Sequence, residues 1–348
     1  MTFMMIKEIA ISVTYWIIFT FLLTTFRFLG IEFFFDVPPE FTMQLVYTNS
    51  LTSGFVLGLT LGLFDLIVNK QVSKMRRSFG MLVISKTIIY LIILVVITFF
   101  SAWISSGSLG LAKGYIVSKI SFGNTIAFII AAFLYHFFKQ MNRKFGPGTL
   151  IKYLTGKYFN PIEENRIFMF LDLKSSTSIA EKLSHVLYSR MIQDCFSELT
   201  VPVIDYKAEI YQYVGDEAVI TWKEENGLSN ANCINFYFSY INRLESKRDY
   251  FLSTYDVFPE FKAGISLGYV TVAEVGELKT EIAYHGDVLN TTSRIQGYCN
   301  KLNKQLLVSE SMANELVKFK HFDLQPVGEV ELRGKEGKSK IYSIEKLD

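Results

Sequence analysis

The chain reads as two units of different class: an all-α membrane unit of four transmembrane helices, then an α+β unit built on an antiparallel sheet. Three observations carry this reading. Half of the 348 residues are hydrophobic, aromatics make up 15%, and mean hydropathy is +0.27, which is too apolar for an ordinary soluble chain. Long apolar runs crowd the first part of the chain. Beyond Glu163 they give way to alternating strand and helix periods. A length of 348 residues suits two such units.

Four apolar runs, Ile9–Leu29, Leu51–Val68, Met81–Trp103 and Tyr115–Phe138, each approach the ~20 residues a helix needs to cross the hydrocarbon core. One such run is compatible with a buried soluble helix; four in succession are not. In the second run Gly54, Gly58 and Gly62 recur every fourth residue, a small-residue face suited to close helix contact. The first run follows Lys7 with no evident small-residue cleavage site, which reads as a retained helix rather than a removed signal peptide.

Loop charges orient these helices. The connection from Gly30 to Ser50 holds Glu32, Asp36 and Glu40 but no Lys or Arg. The next holds Lys70, Lys74, Arg76 and Arg77, and Lys139, Arg143 and Lys144 close the fourth run. The positive-inside rule then places both termini and the second unit on the cytoplasmic side of the inner (plasma) membrane, with Lys113 and Lys119 as the exceptions on the outer side. Residues 1–144 are thus the membrane unit, 145–162 a linker and 163–348 the α+β unit. Phe145-Gly146-Pro147-Gly148 stops the fourth helix, because Pro cannot continue the hydrogen-bond ladder and Gly costs helix stability. Leu150–Phe159 has room for an amphipathic turn or two, as a coupling segment or an inert tether.

In the second unit Arg166–Leu173 reads as a buried strand. Thr177–Leu199 reads as one helix, with Ile179, Leu183, Leu187, Met191 and Phe196 along a stripe. Ile210–Trp222 reads as two strands around a tight Gly215-Asp216 turn. A helix over Asn230–Tyr250 follows, then a strand over Phe261–Val275 whose Gly264 and Gly268 permit close backbone approach. Asp287–Lys301 is helical, Gln305–Ser309 a short strand and Val330–Lys346 a closing hairpin. A strand–helix–hairpin–helix–strand order predicts a ferredoxin-like α+β sheet with added elements.

A formal net charge of +2 gives no global basic field, so nucleic acid is not an expected partner. Cys195, Cys233 and Cys299 match neither a metal spacing nor a disulfide framework and read as packed, reduced thiols. His136, His185, His285 and His321 likewise form no ligand spacing.

The chemistry gathers at strand ends. Phe170-Leu171-Asp172-Leu173-Lys174-Ser175-Ser176-Thr177 and Tyr213-Val214-Gly215-Asp216-Glu217-Ala218 each place an Asp where an apolar run stops. Two such acids brought together favour a divalent cation, which removes their mutual repulsion. Ser175, Ser176 and Thr177 open a helix whose free N–H groups suit a polyphosphate. Glu217, next to Asp216 in the hairpin, is expected on the opposite face. In His285-Gly286-Asp287-Val288-Leu289-Asn290-Thr291-Thr292-Ser293-Arg294, Asn290 and Arg294 are four apart and share one helix face. There an amide and a guanidinium are presented together, suited to a ribose and a phosphoryl oxygen.

Together these motifs resemble the class III adenylyl/guanylyl cyclase catalytic domain, over Glu163 to Ile344. The resemblance implies that Asp172 and Asp216 bind two Mg²⁺ or Mn²⁺ ions, with the Leu173 carbonyl assisting. It implies that Asn290 orients the ribose and Arg294 stabilises charge on the α-phosphate, with Arg333 or Lys335 near the place of a triphosphate-binding Lys. It further implies a homodimer with shared sites, the acids coming from one chain and the Asn/Arg pair from the other. The family's base-selecting positions fall here on Gln212 and Ala283, which match neither the adenylyl nor the guanylyl pattern; Gln both donates and accepts. ATP is favoured on family frequency, giving a membrane-anchored adenylate cyclase that uses the lipid bilayer as its anchor. Lys207 and Lys262 read as solvated surface charges. The alternatives are a guanylate or other nucleotide cyclase, or a catalytically silent cyclase-like receptor that only binds nucleotide or dimerises. A diguanylate cyclase ranks behind these, because its hairpin begins Gly-Gly and it lacks the Asn-x-x-x-Arg helix.

Overall fold

The computed structural model describes residues 2–34, 43–72, 79–117, 119–146, 148–331 and 338–347, and the chain divides into two units, Met1–Phe145 and Gly146–Asp348. In the first, α1 (Thr2–Phe34), α2 (Met43–Val72), α3 (Phe79–Ser106) and α5 (Lys119–Phe145) are the long helices, with a short α4 (Leu109–Ile116) between the last two. Among the described residues four stretches are long and apolar enough to cross a membrane: Met5–Arg27, Tyr47–Ile67, Phe79–Phe100 and Ser121–Phe145. The fourth starts later than the apolar run predicts. Gly107, at φ +63°, ends α3 and leaves Tyr115 in the separate helix α4.

The glycine face of α2 seats α1. A Cβ on Gly54 would stand 2.8 Å from the Ile17 Cα, and one on Gly58 2.6 Å from the Val13 Cα, so only glycine admits this approach. Ser12 Oγ donates to the Gly58 carbonyl at 2.9 Å across the same seam. Trp16 stacks on Phe128 at 4.9 Å, and Tyr90 and Tyr135 complete an aromatic core. Outward-facing Ile11, Ile18, Leu22, Phe55, Ile84, Ile88 and Ile92 are exposed, the inverse of a soluble helix pattern. Inside the bundle Asp65 is 2% exposed and bridges Lys86 at 3.3 Å and Lys139 at 2.7 Å, and Lys139 also reaches Glu8 at 3.3 Å. All four long helices thus contribute to one ion-pair network.

In the second unit α6 (Thr149–Leu154) precedes β1 (Ile162–Leu173). Then follow α7 (Ser176–Lys182), α8 (His185–Ser197), α9 (Thr200–Asp205), β2 (Glu209–Val214), β3 (Glu217–Lys223), α10 (Glu224–Leu228), α11 (Asn232–Glu245) and α12 (Arg248–Tyr255). The chain closes with β4 (Phe261–Val275), β5 (Glu281–His285), α13 (Asp287–Lys301), β6 (Leu306–Ser309), α14 (Glu310–Leu316), β7 (Phe322–Glu331) and β8 (Lys338–Lys346). The sheet order is β2-β3-β1-β4-β6-β8-β7, with β5 on β4. All these pairs are antiparallel except β4 with β6, so the α+β expectation holds with one parallel pair inserted. The helix expected over Thr177–Leu199 is broken. Leu183 is extended, and Ser184 starts α8 by accepting a hydrogen bond from the Leu187 N–H at 3.3 Å, a Ser N-cap. The closing hairpin also begins earlier than expected, at Phe322.

One face of the sheet packs Ile167, Met169, Leu171, Ile220, Trp222 and Ile265 against the helices before β4. The other, with Phe168, Val219 and Val270, receives Tyr284 and Val288. Arg166 is fully buried on this second face. It bonds Glu164 at 2.8 Å and Thr221 at 3.1 Å, pairs with Glu209 at 3.0 Å, and lies 4.9 Å from the Tyr284 ring centre. Burial pushes the Glu164 carboxyl up, but hydrogen bonds from Arg166, Tyr158 and Lys157 outweigh it and hold the group at about 2. The three thiols are buried and free.

Candidate active site

Register assembles the site. β1 lies between β3 and β4, and Asp172 pairs with Glu217 on one side and Lys262 on the other. Directly paired residues share a face of the sheet, so Asp172, Glu217 and Lys262 form one cluster. Asp216 joins it from the turn between β2 and β3, where Gly215 supplies φ +62°, a conformation glycine adopts without a Cβ penalty. Glu217 therefore lies on the face of Asp172, not away from the site. Asp216 belongs to the turn rather than to β3, so the alternation expected between the two residues does not apply.

Lys262 is likewise corrected from a surface charge. It is 8% exposed and lies 3.3 Å from Asp172 Oδ2, because β4 is an inner strand covered on this face by α13. Gln296 of α13 donates its Nε2–H to the same oxygen at 2.8 Å. Lys207 is exposed, as expected. Burial raises the Asp172 carboxyl, Lys262 opposes this and Asp216 adds to it, so it stands above its ordinary value. Burial followed by the charges of Asp172 and Asp216 pushes Glu217 up to about 7. The Tyr188 phenol is raised by burial and by the charges of Asp216 and Asp172.

Among the described residues three carboxyl groups stand against one lysine, and Asp216 Oδ2 is buried without a hydrogen-bond partner. A divalent cation would supply both the missing charge and the missing partner, so these residues fit the expected metal. Among the described residues no group of three or more His, Cys, Asp or Glu side chains is arranged to hold an ion by itself.

Leu173 is buried and pairs with Phe261. Ser175 stands at φ 56° before α7, exposed like Thr177, while Ser176 is half-buried. Asn290 is exposed and Arg294 half-buried on α13. Gln212 is exposed on β2 and pairs with Val219 past a bulge at Tyr211, while Ala283 is buried and pairs with Ala273. Their neighbours Tyr211 and Tyr284 meet edge-on at 4.8 Å. Arg333 and Lys335 lie outside the described residues. Sequence reasoning missed Gln296, Tyr188 and the site role of Lys262. Lys262 alone carried a local signal, a cation inside the apolar strand Phe261–Ile265.

"Adenylate cyclase 2" of Rhizobium meliloti (strain 1021) is 32% identical over 208 residues, covering 60% of this chain and 57% of that protein. The chain thus spans little more than half the length of this relative. The solved structure of a bacterial light-regulated adenylyl cyclase, 19% identical, covers 62% of this chain and 64% of its own with a TM-score of 0.53, a likeness of fold. The adenylate and guanylate cyclase catalytic domain family matches residues 160–346, the stretch that holds the paired acids and the Asn290/Arg294 helix. The chain belongs to that family.

Proposed function

We propose that the protein is a membrane-anchored nucleotidyl cyclase that converts ATP to 3′,5′-cyclic AMP and pyrophosphate for signalling at the cytoplasmic face of the inner (plasma) membrane. The observation that carries this reading is the convergence of Asp172, Asp216 and Glu217 at adjacent strand ends, with a buried carboxylate oxygen unpartnered. The four apolar helices support the anchor, and the relative from Rhizobium meliloti supports ATP.

The substrate's 3′-hydroxyl oxygen attacks its own α-phosphorus in line. The P–O bond to the β-phosphate breaks, pyrophosphate leaves, and the hydroxyl proton passes to solvent. Asp172, Asp216 and the Leu173 carbonyl would hold two Mg²⁺ or Mn²⁺ ions, which would lower the hydroxyl pKa and neutralise charge on the leaving oxygens. Nucleophile and electrophile share one molecule, so the protein's task is orientation and electrostatics. Asn290 orients the ribose, and Arg294 offsets charge growing on the α-phosphoryl oxygens. Ser175, Ser176 and Thr177 line the phosphates, while Gln212 and Ala283 face the base. Asn290 and Arg294 leave the side of α13 away from Asp172, so they serve the site of a second copy, in a symmetric homodimer with two shared centres.

The test is the full-length protein in detergent with Mn²⁺ and ATP, GTP, CTP or UTP in turn. Cyclic AMP from ATP is the expected product. Cyclic GMP alone would move the base assignment, and no cyclic product from any triphosphate would leave the silent-receptor alternative. Inactive Asp172→Asn and Arg294→Ala chains should recover partial activity when co-assembled; failure to do so would overturn the shared centres.

A further inference from the structure

Gln296 lies two residues beyond Arg294 on α13. At 3.6 residues per turn their side chains leave nearly opposite sides of the helix. Asn290 and Arg294 share the outer side; Gln296 is 7% exposed, against the sheet. It sits so low because Gly264 of β4 has no side chain. A Cβ there would stand 2.4 Å from the Gln296 nitrogen and 2.8 Å from the Thr292 carbonyl oxygen. From that seat Nε2 reaches Asp172 Oδ2 at 2.8 Å.

We infer that Gln296 is a positioning residue for the metal-binding acid of its own chain, so that α13 serves two active centres at once. Its outer side completes the centre built on the partner's acids, while Gln296 fixes the Asp172 carboxylate of its own. This rests on the shared-centre homodimer proposed above. A neutral amide suits the task. It joins Lys262 on one carboxylate oxygen and so sets the plane of the group, without adding further positive charge that would compete with a cation. One oxygen being held, coordination falls to the other. Partners of this kind orient metal-binding groups and influence affinity.

The test separates this role from mere support of the helix. An Asp172→Asn chain co-assembled with an Arg294→Ala chain leaves one working centre, whose acids belong to the Arg294→Ala chain and whose Asn/Arg pair belongs to the other. Gln296→Met added to the Arg294→Ala chain should lower activity about tenfold, and added to the Asp172→Asn chain should change it less than about twofold. A displaced α13 would give the reverse, since the Asp172→Asn chain supplies Asn290 and Arg294. Independently, Mn²⁺ binding to the full chain with 3′-deoxy-ATP, followed by electron paramagnetic resonance, should weaken about tenfold in Gln296→Met. Gln296→Asn, one methylene too short to reach Asp172, carries the same expectation should the Met variant not assemble. Equal losses from either chain, or unchanged Mn²⁺ affinity, would overturn the inference. Absence of complementation before any change at Gln296 would instead overturn the shared centres, with Mn²⁺ binding still deciding the positioning role.

Discussion

Two acidic clusters, one in each unit, are balanced in opposite ways. In the first unit Asp65 stands between Lys86 and Lys139, and Glu8 meets Lys139, so among the described residues two acids face two cations. In the catalytic unit Asp172, Asp216 and Glu217 share a face on which Lys262 is the lysine in ion-pair contact. Burying a charge is costly unless it is paired. Among the described residues the first cluster is therefore balanced, and the second holds more acid than cation. A balanced network suits holding helices together; an unbalanced one suits the cation proposed above.

The largest expected effect breaks the unbalanced cluster. Asp172→Asn or Asp216→Asn should lower cyclase turnover roughly 10³-fold or more. The thermal midpoint in chelator should hold or rise, because repulsion is relieved. A large fall in midpoint would make these acids structural and erase the contrast.

Next comes the balanced cluster. Asp65→Asn leaves Lys86 and Lys139 in the bundle without their shared partner and should destabilise the chain by about 3–5 kcal/mol, measured by unfolding in micelles. Replacing the pair as Asp65→Leu with Lys86→Met should recover much of that loss, as apolar substitutes for buried ion pairs do. If the single substitution is silent, the network is not what joins the helices.

Acidity gives a finer test. The Glu217 carboxyl holds its proton up to about 7 in the folded chain against 4.5 ordinarily. The folded state thus binds more protons than the unfolded between those values, and this group's contribution to stability falls as pH rises through them. In chelator the midpoint should drop over about pH 5 to 8, Mg²⁺ should restore it at the upper end, and Glu217→Gln should flatten the profile. A wild-type slope in the Gln variant would assign the dependence elsewhere.

The smallest effect concerns a neutral contact. Ser12→Ala removes the bond to the Gly58 carbonyl and should cost about 0.6 kcal/mol, typical of hydrogen bonds between membrane helices. A loss near that of Asp65→Asn would show that the α1–α2 seam, rather than the ion pairs, dominates the bundle.

Local signals made much of this legible in the sequence. The Gly215-Asp216 turn, the strand ending at Asp172 and the amphipathic stripe of α13 each rest on residues a few positions apart. Register was not legible. Nothing near Glu217 says that it will stand opposite Asp172, and nothing near Gln296 says that Gly264, 32 positions earlier, will let it reach the sheet. The break at Leu183-Ser184 was present as a Ser N-cap but hidden by a stripe that runs through it. In the first unit Asp65 and Lys86 were visible as charges inside apolar runs, while their pairing needed the packed bundle.

The segment before β1 decides where a soluble fragment has to begin. Lys152 reaches Glu209 at 2.7 Å, Tyr158 donates to Glu164 at 2.9 Å, and the Tyr158 carbonyl accepts from the Glu274 N–H at 2.8 Å. A fragment cut at Glu163 would strip these partners from a face that also buries Arg166, exposing apolar surface at the strand starts. One cut at Gly146 keeps them, and limited proteolysis of the intact chain should accordingly spare residues 149–159 while nicking the glycines ahead of them.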